Sequence, residues 1–190
     1  MVGVSAGAAF AQLLALDFAD RVLSLVLISN SPALPGEREL PPPTEEFVRF
    51  ATTAEVDWSD AESVIEYLVD YSRVLAGCRR TFDEAAARDL VRRDVERAHD
   101  VAAAQNHDLI RDDGQPREPL SSIHVPTLVI HGTADPMFPV EHGEALADEI
   151  PGAKLLTLEG AGHGVDRADR KTIALAIVEH TARGDQTSGR

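Results

Sequence analysis

The sequence predicts an α/β protein with a parallel sheet and an all-helical insertion in the middle of the chain. Two runs of strand length, 22–29 and 127–131, are apolar almost throughout, as in parallel strands that helices cover on both faces. Helical patterns lie before the first run and after the second. Between Pro35 and Pro116 there are prolines and helix-capping signals but no strand pattern. Strands that alternate with helices on either side of such an insertion are typical of βαβ units.

The first element carries the motif Gly3-Val4-Ser5-Ala6-Gly7, followed by an alanine-rich helix pattern over 6–18. G-x-S-x-G between a strand and a helix predicts a nucleophile elbow, a sharp turn that lifts a serine hydroxyl out of the sheet. We expect glycine to be required at positions 3 and 7, because another part of the chain should pass too close to Gly3 and Gly7 to leave room for a side chain. The helix pattern is apolar on nearly every face, which predicts burial against the sheet.

The remaining elements follow from apolar runs and capping signals. Ser59-Asp60-Ala61-Glu62 has the form of a capping box that opens a helix to about Ala76, and Thr81 to Glu84 opens another that runs towards Gln105. After the strand at 127–131, we predict a helix over 139–150, a strand over 153–158 and a last helix over 173–181. The tail at 184–190 is polar and predicted to be disordered.

Three residues could form one catalytic site. Serine needs a base within hydrogen-bond reach, and that base needs an orienting carboxylate. Asp135 lies in the loop after the 127–131 strand and His163 in the loop after the 153–158 strand, where parallel strands deliver side chains to one sheet edge. Asp135 could instead cap the following helix. The rival acid position, after the 22–29 strand, holds the uncharged Asn30. His131 is expected to fix its turn by hydrogen bonding.

Together, the elbow, the HGTADP turn and the GAGH turn resemble the α/β-hydrolase superfamily, over essentially the whole chain. The resemblance implies an α/β-hydrolase fold that lacks its N-terminal strands, with parallel strands 6–8 plus the end of strand 5 and an all-helical cap. Residues 1–30 and 119–183 would form the core and 31–118 the cap. It implies Ser5 as nucleophile, His163 as general base and then acid, Asp135 as the orienting acid, and the Ala6 N–H as one oxyanion-hole donor.

Within the superfamily, the cap segment and the HGTADPMFP turn are similar to actinobacterial hydrolases related to the aclacinomycin methylesterases. The resemblance implies a serine hydrolase that cleaves a hydrophobic carboxylic ester, a methyl ester among the options, with no metal or organic cofactor. Met137, Phe138 and Trp58 could contact the substrate, although core packing explains them equally well. Perhydrolase, lactonase and C–C hydrolase chemistry use the same triad and stay open.

Only Met1 and Val2 precede the elbow, so the strands and the second oxyanion donor that the resemblance implies have no counterpart in this sequence. We therefore expect impaired catalysis, with a non-catalytic fragment or a mis-annotated start as the alternative. An elbow strand without a neighbour would be an exposed edge, which predicts self-association.

Composition excludes several classes of function. The net charge of −14 argues against nucleic acid and anionic membranes as partners. Cys78 is the only cysteine, no apolar run is long enough to span a membrane, and the N-terminus has no signal-peptide pattern. These features predict a cytoplasmic location. The spacing of the other histidines forms no metal site.

Overall fold

A computed structural model of the chain describes residues 1–36, 38–103, 106 and 116–187, with residues 183–187 as backbone alone. Four parallel strands form one sheet in the order β1-β2-β3-β4. The strands are β1 Val2–Val4, β2 Leu25–Ile28, β3 Thr127–Gly132 and β4 Lys154–Leu158. The helices are α1 Ala6–Asp17, α2 Glu45–Thr53, α3 Ala61–Ala76, α4 Glu84–Arg97, α5 Glu141–Glu149 and α6 Arg170–Thr187.

Side chains of β2 alternate between two hydrophobic clusters, one on each face of the sheet. Leu25 and Leu27 pack in a cluster with residues of α1 and α5, whereas Val26 and Ile28 pack with Ile173 of α6. All four strand residues are buried. A strand covered on both faces has to be apolar at every position, which explains the continuous apolar run and confirms the predicted parallel α/β core.

The parallel arrangement brings three loops to one edge of the sheet. Ser5 follows β1, Asp135 lies in the turn after β3, and His163 lies in the turn after β4. Because all four strands run in the same direction, their carboxyl ends meet at this edge. The fold therefore places the three predicted residues, which are distant in the chain, on loops at one edge of the sheet.

Three helices, α2 to α4, occupy the chain between β2 and β3, and no strand lies among the described residues of this segment. Sequence reasoning did not delimit α2, although its signal is present: the Thr44 side chain accepts a hydrogen bond from the Phe47 N–H at 3.3 Å, as an N-cap does. α3 begins one residue later than its capping signal suggested, since Asp60 rather than Ser59 is the N-cap.

The prediction that the helix from Thr81 runs towards Gln105 is wrong for its described part, because α4 ends at Arg97. Ala98 takes an extended conformation, and the Asp100 side chain accepts a hydrogen bond from the Ala103 N–H at 3.2 Å. A short polar side chain that bonds to nearby backbone favours a new turn over a continuing helix. Gln105 lies outside the described residues.

Two further helix predictions differ in part from the structure. α1 packs against the sheet as predicted, through Ala8, Ala11 and Ala15, but it is not covered on its other face, where Phe10 and Leu14 are exposed. Small residues let the helix approach the sheet closely, which leaves the large apolar side chains on the opposite face. α6 runs from Arg170 to Thr187, so the last helix is longer at both ends than the predicted range 173–181. Residues 188–190 lie outside the described residues.

No helix among the described residues is long and apolar enough to cross a membrane.

Candidate active site

Ser5 occupies a strained turn between β1 and α1. Its backbone has φ 51° and ψ −123°, a region that a residue with a side chain rarely enters. The Ser5 N–H donates to the Ile28 carbonyl at 2.9 Å, and the Ser5 carbonyl accepts from the N–H groups of Ala8 and Ala9 at 2.8 and 3.2 Å. These bonds on both sides of the residue maintain the strained conformation that is typical of a nucleophile elbow.

Only one of the two glycines of the motif lies where a side chain has no room. A Cβ on Gly3 would overlap the Gly7 carbonyl oxygen and lie 2.6 Å from the Ala8 Cα, so β1 and α1 approach too closely for any side chain there. A Cβ on Gly7 would meet no atom within 4 Å. The expectation for Gly3 is confirmed, and the expectation for Gly7 is wrong for the described structure, because this position at the start of α1 is exposed.

Asp135 and His163 form a hydrogen-bonded pair. Asp135 Oδ2 lies 2.9 Å from His163 Nδ1, with the carboxylate fully buried and the imidazole 6% exposed. The other carboxylate oxygen, Oδ1, accepts from the N–H groups of Met137 and Phe138, both at 2.9 Å. Asp135 is therefore oriented by its own turn and is not the N-cap of α5, which begins at Glu141. Because a carboxylate only accepts, His163 Nδ1 donates, and its Nε2 is left as an acceptor in the neutral ring.

His131 stabilises the Asp135 turn through a hydrogen bond to its backbone. Its Nε2 lies 2.7 Å from the Phe138 carbonyl oxygen and therefore donates to it, which confirms the structural role predicted for this residue. The ring is fully buried, and burial lowers the pKa of His131 below its ordinary value of 6.5. His131 Nδ1 has no hydrogen-bond partner among the described residues. Gly143 on α5 leaves room for this ring, since a Cβ there would lie 2.7 Å from it.

The last turn of α3 packs directly on the His163 loop. The His163 N–H donates to the Leu75 carbonyl at 2.7 Å, and a Cβ on Gly162 would overlap the carbonyl oxygens of Leu75 and Ala76. Glycine at 162 is thus required for this contact. The helical segment between β2 and β3 therefore helps to position the loop that carries the imidazole.

Arg80 lies just after α3 and connects this helical segment to residues on both sides of the His163 loop. Its Nε donates to the Glu159 carbonyl at 3.0 Å, and its Nη1 lies 2.5 Å from Asp169 Oδ2. The backbone carbonyl of Asp169 accepts from the Ile173 N–H at 2.9 Å at the start of α6. The Arg80 side chain is 27% exposed and that of Asp169 12%, so the pair is largely shielded from solvent. Sequence reasoning did not identify either residue.

A cavity of about 730 Å³ adjoins His163, within the size range of ligand sites. It lies between α3, α4 and the loop that leads to α6, and its apolar lining includes Leu75, Phe82, Leu90 and Val165.

Of the predicted substrate contacts, Phe138 packs with its ring centroid 5.7 Å from that of His163. Trp58 instead makes an edge contact with Tyr67 at 5.8 Å. Met137 contributes the backbone bond to Asp135 noted above.

A buried amide pair behind the elbow is the largest feature that sequence reasoning missed. Asn30 Nδ2 donates to the Ser5 carbonyl at 2.8 Å, and Asn30 Oδ1 accepts from Gln12 Nε2 at 2.5 Å. Gln12 is fully buried and Asn30 is 4% exposed. The available signal was a single amide in the otherwise apolar helix pattern, because a buried polar side chain has to find partners.

Among the described residues, no group of three or more histidine, cysteine, aspartate or glutamate side chains could hold a metal ion.

Comparisons with known proteins identify the family of this fold. A family model for the alpha/beta hydrolase fold matches residues 1–165. Rhodomycin D methylesterase DnrP from Streptomyces peucetius is 31% identical over 197 residues, which cover 95% of this chain and 66% of that protein. Rhodomycin D methylesterase DauP from Streptomyces sp. (strain C5) is 31% identical over 199 residues, with the same coverage. The chain thus spans about two-thirds of the length of these relatives.

Solved structures show the same fold. The meta-cleavage product hydrolase CumD from Pseudomonas fluorescens IP01, as its S103A mutant, superposes with a TM-score of 0.68 at 18% identity, over 96% of this chain and 64% of that one. The putative non-heme bromoperoxidase BpoC from Mycobacterium tuberculosis H37Rv gives a TM-score of 0.66 at 21% identity, over 96% and 66%. The predicted family is confirmed: this chain belongs to the α/β-hydrolase fold family.

Proposed function

We propose that the protein hydrolyses a carboxylic ester, with Ser5 as nucleophile, His163 as general base and then acid, and Asp135 as the orienting carboxylate. The observation that carries the proposal is the 2.9 Å hydrogen bond between Asp135 Oδ2 and His163 Nδ1, at the sheet edge where the strained Ser5 turn also lies. An imidazole oriented by a buried carboxylate, together with a serine on an elbow at the same sheet edge, has the composition of a catalytic triad.

The chemistry uses the tautomer described above. His163 Nε2 accepts the Ser5 hydroxyl proton as Oγ attacks the ester carbonyl carbon, and the resulting oxyanion is stabilised by the Ala6 N–H. Ala6 begins α1, and the first N–H groups of a helix have no partner within the helix. The protonated imidazole then gives its proton to the leaving alcohol, which yields an acyl-enzyme. Water activated by His163 attacks that intermediate and releases the acid and Ser5.

The proposed substrate is a methyl ester of a hydrophobic acid. Two relatives at 31% identity are named rhodomycin D methylesterases, whereas the structural neighbours fall below 25% identity and inform the fold alone. In this proposal, Phe138 and Met137 border the reacting carbonyl and Trp58 contributes a more distant substrate contact. The apolar cavity beside His163 would receive part of the acyl group. Residues 1–30 and 119–183 act as the core and residues 31–118 as the cap.

The test is a comparison of Ser5→Ala with the unaltered chain and with Ser63→Ala. Ser63 is a matched control, since its hydroxyl accepts one backbone N–H from Asp57, at 2.9 Å, on the helical segment. We expect the unaltered chain and Ser63→Ala to react with a fluorophosphonate probe and to hydrolyse p-nitrophenyl acetate. Ser5→Ala should do neither. Equal hydrolysis by Ser5→Ala would rule out the proposal, and no labelling of the unaltered chain would favour a non-catalytic fragment.

Product analysis separates the remaining chemistries. Release of methanol and a free acid from a methyl ester supports esterase activity. Ring opening of a lactone, peracid formation with hydrogen peroxide, or cleavage of a vinylogous diketone would favour the lactonase, perhydrolase or C–C hydrolase alternative. None of these reactions consumes an organic cofactor.

We also propose that the chain self-associates through β1 and the outer face of α1. Val2 and Val4 on β1 are 53% and 41% exposed, and Phe10 and Leu14 on α1 are 39% and 40% exposed. A strand edge flanked by apolar side chains favours pairing with a second copy. Light scattering should give a molar mass above that of one chain, and Val4→Lys should lower that mass.

A cytoplasmic location stays a prediction from composition.

A further inference from the structure

Three consecutive polar residues at the end of β2 bond to three different elements. The Ser29 hydroxyl accepts from the Gly164 N–H at 2.9 Å, and Gly164 is the residue after His163. Asn30 Nδ2 donates to the Ser5 carbonyl at 2.8 Å. The next hydroxyl, that of Ser31, lies 2.9 Å from a ring nitrogen of a histidine on α5. The turn after β2 thus touches both the elbow, which follows the neighbouring strand β1, and the histidine loop, which follows β4 two strands away.

Ser29 holds an unfavourable backbone conformation in order to make its contact. Its φ is 48°, and among the described residues only Ser5 is another non-glycine residue with positive φ. The side chain is almost fully buried, and the Ser29 N–H donates to the Ile130 carbonyl at 3.0 Å. Strain of this kind persists only where surrounding contacts require it, and it clusters at functional sites. Here the hydroxyl bond to Gly164 and the N–H bond to β3 are those contacts.

Asn30 is held in one orientation by its partners. The Ser5 carbonyl can only accept, so the Asn30 NH₂ group faces it, and Asn30 Oδ1 accepts from Gln12 Nε2 at 2.5 Å. Gln12 Nε2 also donates to the Ser31 carbonyl at 3.1 Å, and Gln12 Oε1 accepts from the Ala33 N–H at 2.9 Å. A buried network in which each of these groups is satisfied is rigid, so the Ser5 carbonyl has little freedom to shift.

We propose that Ser29 and Asn30 are positioning residues that set the separation between Ser5 and the His163 imidazole. The inference rests on the proposed function, which assigns the nucleophile and the base to those two residues. Each loop is held from the end of β2, one through Ser29 and the other through Asn30. A misplacement of about 1 Å between reacting groups can lower a rate about 10²-fold, so loss of either bond should slow attack by Ser5 while the fold is kept.

The experiment compares Ser29→Gly, Ser29→Ala and Asn30→Asp with the unaltered chain and with Ser63→Ala. Both Ser29 variants remove the hydroxyl, but glycine also relieves the positive φ. Asn30→Asp keeps the oxygen that accepts from Gln12, but it replaces the NH₂ group that donates to the Ser5 carbonyl by a second oxygen, which can only accept. The measurements are the rate of fluorophosphonate labelling at Ser5, the thermal midpoint, hydrogen exchange of the Gly164 N–H, and the pKa of His163 from imidazole NMR, assigned with His163→Gln.

We expect labelling of all three variants to fall about 10- to 100-fold, with Ser63→Ala within about twofold of the unaltered chain. The decisive variant is Ser29→Gly. A purely structural role predicts that relief of strain preserves both the thermal midpoint and labelling, whereas a positioning role predicts a preserved midpoint with slower labelling and faster exchange at Gly164. Unchanged labelling and unchanged Gly164 exchange in Ser29→Gly would overturn the inference and leave the proposed function standing.

If the unaltered chain takes no label at Ser5, the proposed function fails by itself. The link from β2 is then judged by the two structural measurements. Faster exchange of the Gly164 N–H in Ser29→Gly, with a shifted His163 pKa, supports it, and an unchanged Gly164 exchange rate overturns it.

Discussion

Replacement of Asp135 by Asn should abolish activity while it leaves the fold nearly intact. In the structure, Asp135 Oδ1 accepts two backbone N–H bonds, from Met137 and Phe138, at 2.9 Å each. An Asn side chain has to keep its oxygen there, because the opposite orientation would set its NH₂ group against those two donors. Its NH₂ group then takes the place of Oδ2 and faces His163 Nδ1, 2.9 Å away.

That arrangement forces His163 into the other tautomer. With Nδ1 as the acceptor, the proton of the neutral imidazole moves to Nε2, which can no longer accept the Ser5 proton. The same change in another Ser–His–Asp enzyme lowers kcat about 10⁴-fold, or about 5.5 kcal/mol of transition-state stabilisation. Stability should change by less than about 1 kcal/mol, since the bonds to both backbone N–H groups remain.

The assay is kcat/KM for p-nitrophenyl acetate together with a thermal melt. Asp60→Asn is the matched control: its carboxylate is exposed and accepts one local backbone N–H, from Glu62 at 3.3 Å. We expect the control to keep full activity. If Asp135→Asn retained more than about a tenth of the activity, the tautomer argument would be refuted, and with it the role proposed for the carboxylate.

Three other predictions concern the loops around the site. Gly162→Ala should cost about 1–3 kcal/mol of stability in chemical denaturation, because its Cβ overlaps the Leu75 carbonyl; a neutral result would mean that the helical segment is not packed there. Arg80→Ala should cost about 1–3 kcal/mol by the same assay, whereas Arg79→Ala, which removes an exposed ion pair of 3.7 Å, should cost less than about 0.5 kcal/mol; equal costs would contradict the assigned contacts. Burial lowers the pKa of His131, so the folded state binds its proton less readily than the unfolded state does. The unfolding free energy should therefore fall as pH drops below about 6.5, and His131→Gln should flatten that slope between pH 7.5 and 5.5.

Much of the candidate site could be read from local patterns. Strand-length apolar runs located β2 and β3, and the loops that follow the strands located Asp135 and His163. The turn role of His131 also followed from its place at the end of a strand. Each of these features depends on residues close together in the chain, and the parallel sheet then brings the loops to one edge.

Other features could not be predicted because they depend on which elements approach each other. The motif suggested that both of its glycines were needed, yet only Gly3 faces a helix at close range, while Gly7 is exposed. The helix pattern of α1 predicted burial against the sheet but not which residues would face it: small residues such as Ala8 and Ala11 pack on the sheet, and the larger Phe10 and Leu14 are exposed. Helix ends depended on single side-chain bonds such as that of Asp100, which compete closely with a further turn.

Periodicity predicts the α/β core, and the order of the motifs is enough for the resemblance to the α/β-hydrolases and for nominating Ser5, Asp135 and His163, since all of these are properties of short segments and their order. The supports of those residues are contacts across long stretches of chain: Ser29 with Gly164, Asn30 with the elbow, and the end of α3 with the histidine loop. Such contacts arise only when the sheet and helices have packed. A hydroxyl or an amide has no partner until folding brings one within about 3 Å.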